Sequence, residues 1–242
     1  MTGTHTGTLY GIGVGPGDPE LMTLRAYRLI GAARVIAYPA PDSGKSLARR
    51  IAAAAIPEGA EEIPMVVPMR PDRFEAQEVY AEAAERIAAH LAAGTDVAVL
   101  CEGDPFFYGS FMYLFARLAP RFPVEIVPGV SSLAACAAAL KRPLTARNDV
   151  LTVLPGPLPD AELRPRIEAA QTVAILKVGR HLPRLRALIE TMGLTPNAGY
   201  AERASLPEAR AAPLAEAPET APYFSMILIS KGDDPWLSPR QS

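Results

Sequence analysis

Three short stretches set glycine beside hydroxyl or carboxylate groups directly after apolar runs. The first is Gly11-Ile-Gly-Val-Gly-Pro-Gly-Asp18, the second Cys101-Glu-Gly-Asp-Pro-Phe-Phe-Tyr-Gly-Ser110, and the third Pro128-Gly-Val-Ser-Ser132. Glycine leaves a loop sterically open to close backbone approach. Asp104 offers acceptors, Pro105 stiffens its turn, and Phe106, Phe107 and Tyr108 can wall an apolar or aromatic ligand. Ser131 or Ser132 can cap a following helix, and exposed amides at such a start also suit a carboxylate. Each stretch also has a plain structural reading, as a tight strand-to-helix turn, an Asx turn and a helix cap.

Several familiar chemistries fail on spacing. A dinucleotide fingerprint starting at Gly11 needs glycine where Pro16 stands, and one starting at Gly13 needs it at Asp18. No Lys-Ser/Thr pair follows to make a phosphate-binding P-loop. The serines lack the G-x-S-x-G elbow of a hydrolase. His5, His90 and His181 are scattered, so no metal site is expected. Cys101 and Cys136 read as small core hydrophobes rather than a disulfide framework.

The elements that must position these loops follow from periodicity. Residues 9–14, 35–38, 63–67, 96–101 and 124–127 read as strands, with Pro64 putting the third at a sheet edge. Residues 21–30, 46–56, 72–91, 109–118 and 131–140 read as helices. Leu21, Leu24, Leu29 and Ile30 are available for one face of the first. In the 72–91 helix, Asp72 and Glu75 form a capping-box-like start, and Phe74, Val79, Ile87 and Leu91 supply the inward stripe. Strand and helix alternating this regularly predict a mostly parallel sheet covered on both faces. The second half carries strands at 150–154, 173–177, 199–202 and 224–230 with helices at 161–170 and 182–192; residues 204–221 read as a strand or a long loop. Prolines 120, 123 and 128 mark the division, set as domains of residues 1–122 and 123–242.

Composition narrows the function classes. The chain has 242 residues, 49% hydrophobic and 21% charged, with a net charge of −2, which weighs against nucleic acid as the main partner. No apolar run approaches the roughly 18 residues that span a bilayer, and no export signal opens the chain, so the expectation is a cytoplasmic protein with no membrane partner. Arg outnumbers Lys by 20 to 4, which suits gripping carboxylates in pairs but also fits genome composition.

The three loops, in order, resemble the signatures of the tetrapyrrole methylases, and the likeness runs over about residues 8–231. It implies an α/β fold of two domains, each a mixed sheet flanked by helices, with the active site in the cleft between them. It also implies S-adenosyl-L-methionine as methyl donor and a tetrapyrrole as small-molecule substrate. Within the family, the segments 38–46, 101–113 and 200–208 resemble members acting in corrin synthesis. Glu102 and Pro39 stand where uroporphyrinogen-methylating members usually carry glycine and aspartate. The expectation is methylation of carbon 20 of precorrin-2, with the cobalt-loaded form or another ring carbon as alternatives. A dehydrogenase and a non-catalytic tetrapyrrole carrier are the rivals from other classes.

Carried over by motif position, the resemblance implies cofactor contacts at Glu102, Gly103, Asp104, Phe107, Ser131 and Ser132. It implies further contacts at Pro16 and Pro39, and at Lys177, Ala204 and Met226. The loop Gly15-Pro-Gly-Asp18, with Gly17 and Tyr108, would face the macrocycle. No base is nominated; Glu102, Asp18 and Tyr108 are candidates beside solvent. The family resemblance also implies a homodimer.

Overall fold

A computed structural model describes residues 5–42, 45–67 and 73–232, apart from the side chains of 73–76. The described chain divides into two compact units, meeting at Ser131 and Ser132.

The first unit runs β1 (Leu9–Gly13), α1 (Leu24–Ala32), β2 (Val35–Pro41), α2 (Leu47–Ile51), β3 (Glu61–Val67), α3 (Arg73–Ala92), β4 (Val97–Cys101), α4 (Phe111–Leu118) and β5 (Val124–Val127). Its five strands are ordered β3-β2-β4-β1-β5 and all run parallel. Strand alternation separates two buried layers. Val97, Val99 and Cys101 join Ile87, Leu91, Phe111 and Leu114 from α3 and α4. Ala98 and Leu100 join Ala26, Ile30, Ala48 and Ile51 from α1 and α2. The sheet is therefore covered on both faces, and β3, with Pro64, lies at an edge. Because β5 pairs with β1, this unit continues past the expected division at residue 122.

The second unit runs α5 (Ser132–Leu140), β6 (Leu151–Pro155), α6 (Asp160–Ala169), β7 (Thr172–Leu176), α7 (Leu182–Thr191), β8 (Ala198–Glu202), β9 (Arg210–Pro213) and β10 (Ser225–Ser230). The strand order is β6-β7-β10-β8-β9, parallel only between β6 and β7. Mixed strand directions, expected of both sheets, are confined to this one. Residues of α6 and α7 fill one face, with Leu163, Ile167, Leu185 and Ile189 against Val173, Ile175, Tyr200 and Ile227. On α5, Leu140 reaches Gly199 of β8, where an added Cβ would come within 2.8 Å of it.

Two local expectations need correction. The helix expected at 21–30 starts at Leu24, because the Thr23 hydroxyl accepts the Ala26 N–H at 3.1 Å and caps it. Its inward face is Ala26 and Ile30 with Leu29 packed beside them, so Leu29 and Ile30 stand as expected, whereas Leu24 is 90% exposed and Leu21 also points outward. The helix expected at 46–56 lasts one turn and a half before residues 52–55 continue as turns. The Asp72 cap and the Phe74 and Glu75 side chains lie outside the described residues.

Candidate active-site loops

Adjacent strands β1 and β4 send their following helices to opposite faces of the first sheet, the arrangement in which open parallel sheets bind ligands beyond their carboxyl ends. The three glycine-bearing loops lie at this end. Gly103 donates its N–H to the Gly15 carbonyl at 2.8 Å, and Gly15 donates back to Gly103 at 3.3 Å. Both glycines have positive φ, +83° at Gly15 and +64° at Gly103, where an L side chain would be strained.

The third loop is packed into the same place. A Cβ on Gly129 would stand 2.0 Å from the Gly103 carbonyl oxygen, and one on Gly13 would stand 2.6 Å from the Gly129 nitrogen. The open floor expected at Gly13 is thus filled by the backbone of the other two loops. Glycine is required there because three loops of the chain meet.

Asp104 secures the arrangement. One carboxylate oxygen accepts the Phe106 N–H at 2.9 Å, the Asx-turn bond, and the other accepts the Gly129 N–H at 3.1 Å. The side chain expected to touch cofactor therefore also ties the second loop to the third. Asp18 accepts the Glu20 N–H at 2.9 Å and caps the short 3-10 turn at Pro19–Leu21, just past Pro16 and the buried Gly17.

Glu102 reaches sideways. Its carboxylate accepts the Ala48 N–H at 3.2 Å, adding to the cap that Ser46 gives α2 through the Arg49 N–H. Burial pushes the Glu102 carboxyl above its ordinary pKa, opposed by the backbone N–H donors of Glu102 and Ala48. Pro39 stands where β2, having paired with β4 through Ala37, continues beside β3 alone.

Phe107 and Tyr108 meet edge to face at 5.2 Å, and Tyr108 holds a left-handed φ of 56°. Phe106, still 45% exposed, packs edge to face on Phe115 at 5.1 Å instead. Ser131 precedes α5 and Ser132 begins it.

A network that the sequence did not suggest lies beside Pro39. Arg49 forks onto Glu62 with two bonds of 2.9 Å, and the nearly buried Tyr38 hydroxyl interacts with both groups. The guanidinium holds the Glu62 carboxyl below its usual range, while burial and Glu62 raise the Tyr38 phenol. The pairing joins residues 13 apart on different elements, so neither strand nor helix periodicity could reveal it.

In the second unit, Lys177, Ala204 and Met226 gather at one end of the sheet. Met226 pairs with Leu176 on β7, just before Lys177, and with Ala201 on β8, three residues before Ala204. Ala204 and Met226 are buried and Lys177 is exposed. Among the described residues, no group of three or more His, Cys, Asp or Glu could hold a metal ion, and no helix is long and apolar enough to cross a membrane.

Comparison with known proteins matches this arrangement. The family model of the Tetrapyrrole (Corrin/Porphyrin) Methylases covers residues 8–218. The chain is 41% identical over 238 residues to the precorrin-2 C(20)-methyltransferase of Sinorhizobium sp., covering 95% of this chain and 97% of that one. It is 33% identical over 229 residues to the cobalt-precorrin-2 C(20)-methyltransferase of Salmonella typhimurium, covering 93% and 97%. Among solved structures it resembles uroporphyrin-III C-methyl transferase from Thermus thermophilus complexed with S-adenyl homocysteine, with a TM-score of 0.67, 29% identity, and coverage of 93% and 98%. With its three signature loops joined at the strand ends of a parallel sheet, the chain belongs to the tetrapyrrole methylases.

Proposed function

We propose that this chain transfers a methyl group from S-adenosylmethionine to carbon 20 of precorrin-2, a step of cobalamin synthesis. The observation that carries this reading is the 41% identity to a precorrin-2 C(20)-methyltransferase over nearly the full length of both chains. The metal-free substrate is preferred over the cobalt-loaded one because the likeness to the cobalt-precorrin-2 enzyme is lower, at 33%.

The residues suit a donor that is part aromatic and part cationic. Glu102 offers a carboxyl group, Phe107 and Tyr108 offer aromatic faces that favour a cation, and the strand-end loops offer backbone donors and acceptors. When bound, S-adenosylmethionine supplies a methyl group already activated on sulfur, so the protein's task is placement more than acid–base power. Holding reacting atoms at near-attack distance is worth up to about 7–11 kcal/mol in the best intramolecular models.

In the first unit, Pro16, Pro39, Glu102, Gly103, Asp104, Phe107 and Ser131 would hold the donor, and Gly15, Gly17, Asp18 and Tyr108 would face the macrocycle. In the second, Ser132, Lys177, Ala204 and Met226 would hold the donor. Arginines pair with the substrate's carboxylates. Glu102 is the strongest candidate to receive the proton released after transfer, because burial raises its affinity for one. A cytoplasmic homodimer is part of the same reading.

The test is chemical. Metal-free precorrin-2 and S-adenosylmethionine labelled in the methyl group are incubated with the protein, and NMR locates the label. Label at carbon 20 is expected. Label at another carbon overturns the regiochemistry, and no transfer together with no S-adenosylhomocysteine binding overturns the methyltransferase reading.

A further inference from the structure

At the end of β8, the second unit holds a polar knot that methyl transfer does not itself require. The Tyr200 ring is fully buried in the core beneath α6 and α7, and its hydroxyl donates to the Glu202 carboxylate. Glu202 stands opposite Ser225 on β10 and opposite Arg210 on β9.

Ser225, only 7% exposed, uses its hydroxyl in two directions. It donates to the Pro222 carbonyl at 2.7 Å and accepts the Gly179 N–H at 3.1 Å. The same side chain interacts with the Tyr200 phenol. One residue further along β8, Arg203 donates its N–H to the Phe224 carbonyl at 2.9 Å. Three segments, 177–179, 203–205 and 222–225, are thereby tied around one buried cluster.

Those segments carry an unusual concentration of left-handed backbone. Lys177, Arg203 and Ser205 have φ of 57°, 49° and 70°. Side chains with a Cβ keep this conformation only where the surroundings impose it. Lys177 and Ala204 sit within these turns, and Met226 directly follows Ser225.

We infer that Ser225 and Tyr200 are positioning residues: their bonds to Gly179, Pro222 and Glu202 fix the turn at 177–179 and the end of β8 from which the 203–205 turn departs, and so preset the donor-side groups Lys177, Ala204 and Met226. The inference rests on the reading under Proposed function. It separates these two residues from the surrounding core, because their loss acts on one of the two substrates only.

The experiment uses full-length Ser225→Ala, Ser225→Thr and Tyr200→Phe beside the wild type. It measures the affinity for S-adenosylhomocysteine and the KM of each substrate with the other saturating. Ser225→Ala removes both hydroxyl bonds and should raise the S-adenosylhomocysteine Kd and the S-adenosylmethionine KM at least fivefold. Tyr200→Phe, which keeps the ring, should raise both at least twofold. The tetrapyrrole KM and kcat should stay within twofold throughout. Ser225→Thr keeps the hydroxyl on a side chain suited to a strand and should restore most of the affinity. If Ser225→Ala does not fold, Tyr200→Phe carries the same comparison. Donor affinity within twofold of wild type in Ser225→Ala and Tyr200→Phe, both KM values rising together, or no recovery in Ser225→Thr would overturn the inference. Wild type that binds no S-adenosylhomocysteine would overturn the methyltransferase reading and, with it, this role.

Discussion

Asp104 bears a double load. A family contact is expected of it, yet both of its oxygens already accept backbone N–H groups, from Phe106 and Gly129. Hydrogen bonds to a charged acceptor contribute about 1.5–3 kcal/mol, less where they are exposed as at Phe106, so Asp104→Ala should lower unfolding free energy by roughly 2 kcal/mol in denaturant titration as well as weaken donor binding. Asp104→Asn keeps one acceptor and should lose about half as much stability; equal stability of all three proteins would show that the ties contribute nothing. Glu102 makes a different statement. Its folded pKa is raised, chiefly by burial, so folding binds a proton between the unfolded and folded values. Stability associated with this group is therefore present at acid pH and is lost as pH rises through that window. Glu102→Gln keeps an acceptor for the Ala48 N–H and removes the charge. It should raise Tm near pH 8 and leave Tm unchanged near pH 4. Methyl transfer by the same variant should fall at least tenfold if Glu102 receives the proton, consistent with the size of general-base contributions.

Among elements, the alternation of strands and helices in the first half was legible because parallel strands buried on both faces read as apolar runs closed by glycine or proline. β4, with all five residues buried, is the clearest case. Pro64 correctly marked an edge, because a missing N–H is harmless only there. The face of α1 was legible only in part: Leu29 and Ile30 pack inward as expected, Leu21 and Leu24 do not. The run 21–30 spreads its apolar residues over more than one helical face, and the Thr23 cap, a local hydrogen bond, decides where the helix starts. That register is testable. Ile30→Ala removes a fully buried side chain and should cost about 2–4 kcal/mol, whereas Leu24→Lys at a 90% exposed position should stay within about 0.5 kcal/mol. A cost at Leu24 as large as that at Ile30 would restore the face expected from periodicity. At the site, the three loops were legible as motifs, while their mutual contact was not. The Gly15–Gly103 pairing and the Asp104–Gly129 bond join residues 88 and 25 apart, and no local pattern encodes such meetings. The Arg49–Glu62 and Tyr200–Glu202 groups were missed because a charged residue on a strand or helix reads as solvated until its partner is known.

Across the whole molecule, charge sets the terms of substrate capture. The net charge of −2 gives no general attraction for a polycarboxylate macrocycle, so recognition must depend on arginines placed locally rather than on the field of the protein. Twenty arginines against four lysines provide groups that grip carboxylates in pairs and stay charged at every working pH. On the proposed reading the donor, with one net positive charge, would instead meet the half-buried Glu102 carboxyl and the Phe107 and Tyr108 rings, where salt screens less than at the surface. Raising ionic strength from about 0.05 to 0.5 M shortens the Debye length from about 14 to about 4 Å, which weakens exposed arginine–carboxylate contacts and leaves buried ones nearly intact. The KM for precorrin-2 should therefore rise severalfold over that range, with the S-adenosylmethionine KM and kcat changing less than twofold. Steady-state kinetics at four or five salt concentrations decide it. A tetrapyrrole KM that ignores salt would mean that the macrocycle is held chiefly by apolar contact, and arginine replacements would then alter its binding far less than this reading requires.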